Sequence, residues 1–260
     1  MKIKANGISI NYQVDGPDAA PWLVLSNSLA TNLSMWDEQA RELGRAFRVL
    51  RYDQRGHGAT EAPAGRYPFD LLIADALALM DELAIGKAHF AGLSMGGATA
   101  LGLAQKHPDR LDRIIVCDSP CQSTPTSSQQ WEERIVVAQA QGMEALVEPT
   151  IARWFPPDVI KANPPHVDKV RQMIRSTPVD GFIGCAAALA DHDYAAAVAR
   201  LTRPVLFLVG EKDAAAPPMR KLNEALPGSR FVELAGAGHI SNLDQPEGFT
   251  RAVKDFLAAK

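Results

Sequence analysis

The stretch Gly92-Leu93-Ser94-Met95-Gly96-Gly97 constrains this chain more than any other. It follows a short apolar run, Ala88-His89-Phe90-Ala91, and opens a small-residue helical stretch from Ala98 to Gln105. A strand, a sharp turn with a serine at its apex and then a helix is the context in which a G-x-S-x-G match reads as a nucleophile elbow. Such a turn strains the serine backbone and leaves no room for bulky neighbours. Gly92 and Gly96, with Gly97 and Ala98 behind them, meet that requirement. The competing reading is a Gly/Ser turn without chemistry, and partners for the serine decide between the two.

The rest of the chain sets out an α/β rhythm. Asn6-Gly7 is a two-residue hairpin signal between Met1–Lys4 and Ile8–Val14. Short apolar strands are expected at Trp22–Ser26 and Phe47–Tyr52, at Ala88–Gly92 before the elbow, and at Ile114–Asp118. Asp70–Leu83 has apolar residues at helical spacing. After Asp118 the rhythm stops. Ser119 to about Leu201 reads as short helices separated by prolines at 149, 156, 157, 164, 165 and 178, an inserted helical cap. Strands then return at Pro204–Val209 and Arg230–Ala235, alternating with helices at about Pro218–Leu226 and Pro246–Ala259. Strands and helices alternating in this way argue for a mostly parallel sheet covered on both faces. The expected organisation is therefore an α/β core of residues 1–118 and 202–260 with a cap of 119–201.

Composition narrows the function classes. The 260 residues fit one large α/β domain with a small insertion. With 27 basic and 30 acidic residues the formal charge is −3, so no basic surface for nucleic acid is implied. No apolar run approaches the roughly 20 residues that span a bilayer, and no hydrophobic leader follows Met1-Lys2-Ile3-Lys4. Cys117, Cys121 and Cys185 are odd in number and lack metal-ligand spacing, so idle thiols in a reducing compartment, the cytoplasm, are expected.

A serine hydroxyl needs an adjacent base, usually a histidine held by a carboxylate. In elbow folds the order along the chain is Ser, acid, His, each at the end of a later strand. Gly210-Glu211-Lys212-Asp213 follows one such strand and Ala235-Gly236-Ala237-Gly238-His239 follows the next. Ser94, Asp213 and His239 are thus the expected nucleophile, orienting acid and base. Asp118, which also ends a strand, is a rival for the acid, and Asp213 could be a plain helix cap. His57, in Arg55-Gly56-His57-Gly58, is the only competing histidine; its loop reads as structural. For the oxyanion, the expected donors are the amides of Met95 and of Leu29, the latter on the loop just past Trp22–Ser26.

These residues resemble the α/β-hydrolase superfamily across almost the whole chain: Asp53-Gln54-Arg55-Gly56-His57-Gly58, the elbow, Gly210–Asp213 and Gly238-His239. The resemblance implies an eight-stranded sheet. A narrower likeness is to 3-oxoadipate enol-lactonases of aromatic catabolism, carried by Ser26–Trp36, Ala91–Gly97, and the segments Trp131–Arg134 and Arg153-Trp154-Phe155. Ala30 departs from it, standing where that family's glycine is expected. The likeness implies hydrolysis of a small carboxylated enol-lactone without a metal or organic cofactor. Arg134 is the expected counter-charge, one helical turn from Trp131, with Ser28, Trp131, Met143 and Trp154 completing the substrate pocket. The alternative for Trp131, Ile135 and Ala138 is a plain core stripe with Arg134 solvated. Rival functions are a general carboxylesterase or perhydrolase-like enzyme with the same triad, and a ligand-binding protein that keeps a slow one. A halide-releasing enzyme is disfavoured because Ser94 stands where a carboxylate would be needed.

Overall fold

A computed structural model describes residues 1–259. Eight strands form one sheet in the order β1-β2-β4-β3-β5-β6-β7-β8. They are β1 (Lys2–Ala5), β2 (Ile8–Asp15), β3 (Trp22–Ser26), β4 (Arg48–Tyr52), β5 (Ala88–Leu93), β6 (Leu111–Cys117), β7 (Val205–Gly210) and β8 (Arg230–Leu234). β1 and β2 pair antiparallel, as do β2 and β4, while every pairing from β4 to β8 is parallel. The hairpin closes at Asn6-Gly7, both at positive φ (46° and 79°), as the Asn-Gly signal requires.

Helices cover both faces of the sheet. Those of the core are α1 (Asp37–Leu43), α2 (Phe69–Glu82) and α3 (Met95–Lys106), and after the insertion α10 (Ala216–Ala225), α11 (Ser241–Asp244) and α12 (Pro246–Ala258). The central strands are apolar almost throughout, as strands buried on both faces must be; β7, Val-Leu-Phe-Leu-Val-Gly, is buried at all six positions. Registers Ser26↔Gly92, Leu93↔Cys117, Cys117↔Leu208 and Gly210↔Leu234 bring the ends of β3, β5, β6, β7 and β8 to one edge. The carboxyl edge of an open parallel sheet is where such folds bind ligands.

Between β6 and β7 lie six helices and no strand: α4 (Pro125–Gln141), α5 (Glu144–Trp154), α6 (Pro157–Ala162), α7 (Pro165–Ser176), α8 (Val179–Asp191) and α9 (Ala195–Val198). α4 begins where Thr124 and Ser127 cap each other reciprocally and Pro125 takes the first turn. α7 buries Val167, Val170, Met173 and Ile174, a helical stripe, against α5. One expectation fails here. Pro149 does not separate helices but lies inside α5. Its neighbours Leu146, Val147, Thr150 and Ile151 are buried, so packing holds the helix across a residue that removes one of its hydrogen bonds. The other prolines named lie just before or at the starts of α6, α7 and α8.

Candidate active site

The elbow is built by exclusion. Ser94 sits at φ 56°, ψ −113° between β5 and α3. A Cβ on Gly92 would lie 1.9 Å from the Gly96 oxygen, and one on Gly96 would lie 2.1 Å from the Ser26 oxygen. Neither distance is attainable, so both positions demand glycine while the serine between them carries the strain. The Ser94 amide donates to the Cys117 oxygen (2.8 Å), tying the apex to β6. Its hydroxyl makes no hydrogen bond among the described residues. Catalytic contacts in free enzymes are commonly open in this way and tighten around substrate.

The loops after β7 and β8 meet beside it. His239 Nδ1 lies 2.9 Å from Asp213 Oδ2, which leaves Nε2 as the nitrogen available to a proton of Ser94. The His239 amide donates to the Trp154 oxygen (2.7 Å), and the two rings stack with centroids 5.5 Å apart. The imidazole is therefore held by the acid at one nitrogen and by α5 over its face. Burial pushes the Asp213 carboxyl up, but the charge and hydrogen bond of His239, the Ala215 amide and Asp118 together hold it below the usual carboxylate range. Asp118 has no bond to His239. Its oxygens take the Gly210 amide (2.8 Å) and the Ser241 hydroxyl instead.

Leu29 lines the same cavity from the loop after β3. Ala30 stands at φ 57°, which explains why a glycine suits that position. The strained residue is held by His57, whose Nε2 accepts from the Ala30 amide (2.9 Å) while Nδ1 lies 3.0 Å from the Arg55 oxygen. That pairing fixes a neutral imidazole donating through Nδ1, and burial pushes His57 down from its ordinary value, to the same end. The Leu29 and Met95 amides have no acceptor among the described residues and are free to donate to an anionic oxygen. Ser28 is a correction. It does not line the cavity, because the turn closed by Thr31 on the Ser28 oxygen sends Leu29 inward and buries Ser28 against Met35.

The cavity holds about 240 Å³ and gathers Leu29, Ser94, Asp213 and His239 from the core with Trp131, Arg134, Arg153, Trp154 and His192 from the insertion. Arg134 packs over the Trp131 ring (4.5 Å to its centroid) while Ile135 and Ala138 turn into the core. The same helix thus supplies both a core stripe and a cavity wall. Arg153 is named by the sequence only within the segment Arg153-Trp154-Phe155, not as a residue of the pocket. Neither arginine has a carboxylate within ion-pair distance among the described residues. Arg153 keeps contact with solvent, and partial desolvation together with repulsion from Arg134 lowers it from the ordinary arginine range, against the opposing pull of Asp213. Burial also lowers Arg134. Both stay cationic at neutral pH, an arrangement suited to an anion between or beside them. Met143 is the second correction. It lies beyond the far end of α4, about 13 Å along the axis from Arg134, where it is buried among apolar side chains and does not line the cavity. His192 is no base for Ser94: its Nδ1 bonds the Leu189 oxygen (2.8 Å) and it has no carboxylate partner.

A larger groove, about 810 Å³, runs outside along α2, α3 and α8, but its cations are paired as Arg66–Glu132 and Lys106–Asp70. No group of three or more potential metal ligands occurs among the described residues, and no helix is long and apolar enough to cross a membrane.

The chain is similar to known proteins along nearly its whole length. A family model described as the alpha/beta hydrolase fold matches residues 21–246. The 3-oxoadipate enol-lactonase 2 of Acinetobacter baylyi is 35% identical, over 97% of this chain and 94% of its own. RutD of Pseudomonas syringae pv. syringae, whose name gives carbamate hydrolysis as a provisional activity, is 31% identical over 93% and 95%. The crystal structure of the enol-lactonase from Burkholderia xenovorans LB400 superposes with a TM-score of 0.96 at 40% identity, covering all of both chains.

Proposed function

The chain belongs to the α/β-hydrolase fold family, and from that premise we propose that it hydrolyses the enol-lactone ring of a small carboxylate, 3-oxoadipate enol-lactone, to 3-oxoadipate. Ser94 attacks the ring carbonyl as His239 takes its proton, with Asp213 orienting the imidazole and stabilising its charged form. The carbonyl oxygen becomes an oxyanion bonded by the Leu29 amide and by the Met95 amide at the start of α3, where the helix dipole also favours negative charge. Collapse breaks the ring C–O bond and expels an enolate, a better leaving group than a simple alkoxide. His239 returns the proton and the enol becomes a ketone. Water, deprotonated by His239, then attacks the acyl carbon; its bond to Ser94 Oγ breaks, His239 returns the proton to Oγ, and the second carboxylate leaves.

The observation that carries the substrate class is the pair of unpaired arginines, Arg134 and Arg153, in the cavity that holds Ser94. Arg134 is half-buried and Arg153 still reaches solvent, so the two present a cationic wall that a substrate carboxylate would meet and an uncharged ester would leave unused. The insertion acts in this reading as a cap that selects the substrate, and the protein works in the cytoplasm on a small molecule without a metal or cofactor. Similarity to RutD keeps carbamate hydrolysis as the second reading, since the same nucleophile and oxyanion donors would serve. An ultraviolet assay of enol-lactone consumption, run beside a short-chain aryl ester and a carbamate, separates them. A kcat/KM on the lactone at least tenfold above both supports the proposal. Equal rates on the aryl ester would make the protein a general carboxylesterase, and a preference for the carbamate would favour the second reading.

A further inference from the structure

Asp118 is a buried acid for which the reaction above has no use. It directly follows β6 at φ 48°, in the left-handed region that costs a non-glycine residue about 1–2 kcal/mol. Its side chain is fully buried and no arginine or lysine pairs with it. Its contacts reach both loops of the proposed charge relay. Oδ1 accepts the Gly210 amide (2.8 Å) at the start of the turn carrying Asp213, and Oδ2 meets the Ser241 hydroxyl, two residues past His239. The Asp118 amide donates to the Leu208 oxygen (3.0 Å), which fixes the strained residue against β7. Asp213 lies three residues past Gly210 on the loop that Asp118 holds, near enough for the two carboxyl groups to act on each other's charge. One residue therefore clamps the acid loop, the base loop and the strand between them.

Two carboxyl groups this close in a buried site cannot both carry a charge. Asp213 has a reason to keep its charge, because it faces His239 and, beyond it, Arg153. Asp118 has none: the other titratable group beside it is the Cys117 thiol, which burial holds neutral. Burial and the Asp213 charge push the Asp118 carboxyl well above the usual range. Resting on the assignment of Ser94, His239 and Asp213 to catalysis, we propose that Asp118 is a positioning residue that stands as a neutral carboxylic acid and donates its proton to Asp213. Oδ2 accepts from Ser241 while its own hydrogen points to Asp213. The bond holds the Asp213 carboxylate in line with His239 Nδ1 and spreads its charge over two donors. Asp118 touches no reacting atom.

The test is the pair Asp118→Asn and Asp118→Ala. An asparagine amide still accepts from Gly210 and donates to Asp213, so kcat is expected within about threefold of wild type, with the acid limb of the kcat/KM profile unmoved. Alanine removes the clamp, and kcat should fall about 10- to 100-fold at nearly constant KM. If Asp118 were ionised instead, the asparagine would delete a buried negative charge beside the relay. The acid limb would then move to lower pH by about one unit or more, which would overturn the proposal. Infrared difference spectra supply a readout that does not depend on turnover or on the alanine variant folding. A protonated-carboxyl C=O band should be present at neutral pH in wild type and missing from Asp118→Asn; its absence from wild type would equally overturn the proposal. Full activity in Asp213→Asn would instead remove the catalytic assignment on which it rests, a distinct failure.

Discussion

The loops at the carboxyl edge of the sheet and the six helices above them are held in opposite ways. The loops are fixed by strain and buried polar bonds. Ala30, Ser94 and Asp118 all stand at positive φ, each gripped by a neighbour from another strand or loop: His57 Nε2, the Cys117 oxygen and the Leu208 oxygen. The helices rely on apolar stripes and on solvent-facing ion pairs such as Arg171–Glu148 and Arg175–Glu144. Their polar contacts with the core are scattered: the His239 amide to the Trp154 oxygen, the Tyr67 amide to the Gly184 oxygen, Cys185 Sγ to the Arg55 oxygen, Lys169 to Asp37 and the Ser34 oxygen, His166 to Asp244 and Arg66 to Glu132. Geometry that must hold to fractions of an ångström is built into the core, and the insertion is left free to change its lining. Reaction type should therefore follow the core and substrate choice the insertion.

The sharpest way to break that division is Ser94→Ala. Turnover is expected to fall about 10⁴-fold or more on the lactone and on an uncharged ester alike, with the fold unchanged by circular dichroism. Asp213→Asn should cost about 10⁴ in kcat on both substrates, because the imidazole loses its orienting charge. Arg134→Ala should act on one substrate only. A lost charge-assisted bond of about 1.5–3 kcal/mol lowers kcat/KM for the carboxylated lactone by one to two decades and leaves the ester nearly unchanged.

Smaller effects sharpen the core side. His57 is neutral in the fold, its affinity for protons lowered by burial. Unfolding lets it regain protons below its ordinary value of about 6.5, so stability should decline as the pH falls through that value and until the buried ring itself protonates. His57→Gln, which keeps an acceptor for the Ala30 amide, should flatten that decline in a melting-temperature series across pH 5–7.5; an unchanged slope would place the acid sensitivity elsewhere. Ala30→Gly relieves about 1–2 kcal/mol of left-handed strain but adds unfolded-state entropy, a net gain of about 0.5–1 kcal/mol in denaturant melts.

The same division governs what could be read from residues alone. The elbow, the strand endings and the order Ser94, Asp213, His239 follow from short-range rules: apolar runs, glycines where no Cβ fits, and loops that must leave strands at one edge. The departure at Ala30 was legible as a missing glycine, but not its cause, the positive φ held by His57 across 27 residues. In the insertion, helix content was legible while wall-lining was not. Arg153, near the end of α5, is legible only as part of the segment Arg153-Trp154-Phe155; that it shares a cavity wall with Arg134 while still reaching solvent follows from the packing of α4 against α5. Met143 fails for the converse reason, since an apolar residue near Trp131 in sequence lies past the end of a 17-residue helix. Pro149 inside α5 shows packing overriding a local signal. Asp118 is legible only as a rival to Asp213 for the acid; that it instead binds the loops of both Gly210 and Ser241, 95 positions from Asp213, is a matter of tertiary structure.

The account stands or falls on where selectivity resides. The direct measurement is the ratio of kcat/KM for 3-oxoadipate enol-lactone to that for a short-chain aryl ester, in wild type and in Arg134→Ala/Arg153→Ala. The ratio should collapse by about two decades or more, with ester turnover preserved. A ratio unchanged in the double variant, or both activities falling together, would contradict a core that sets the chemistry and an insertion that chooses the substrate.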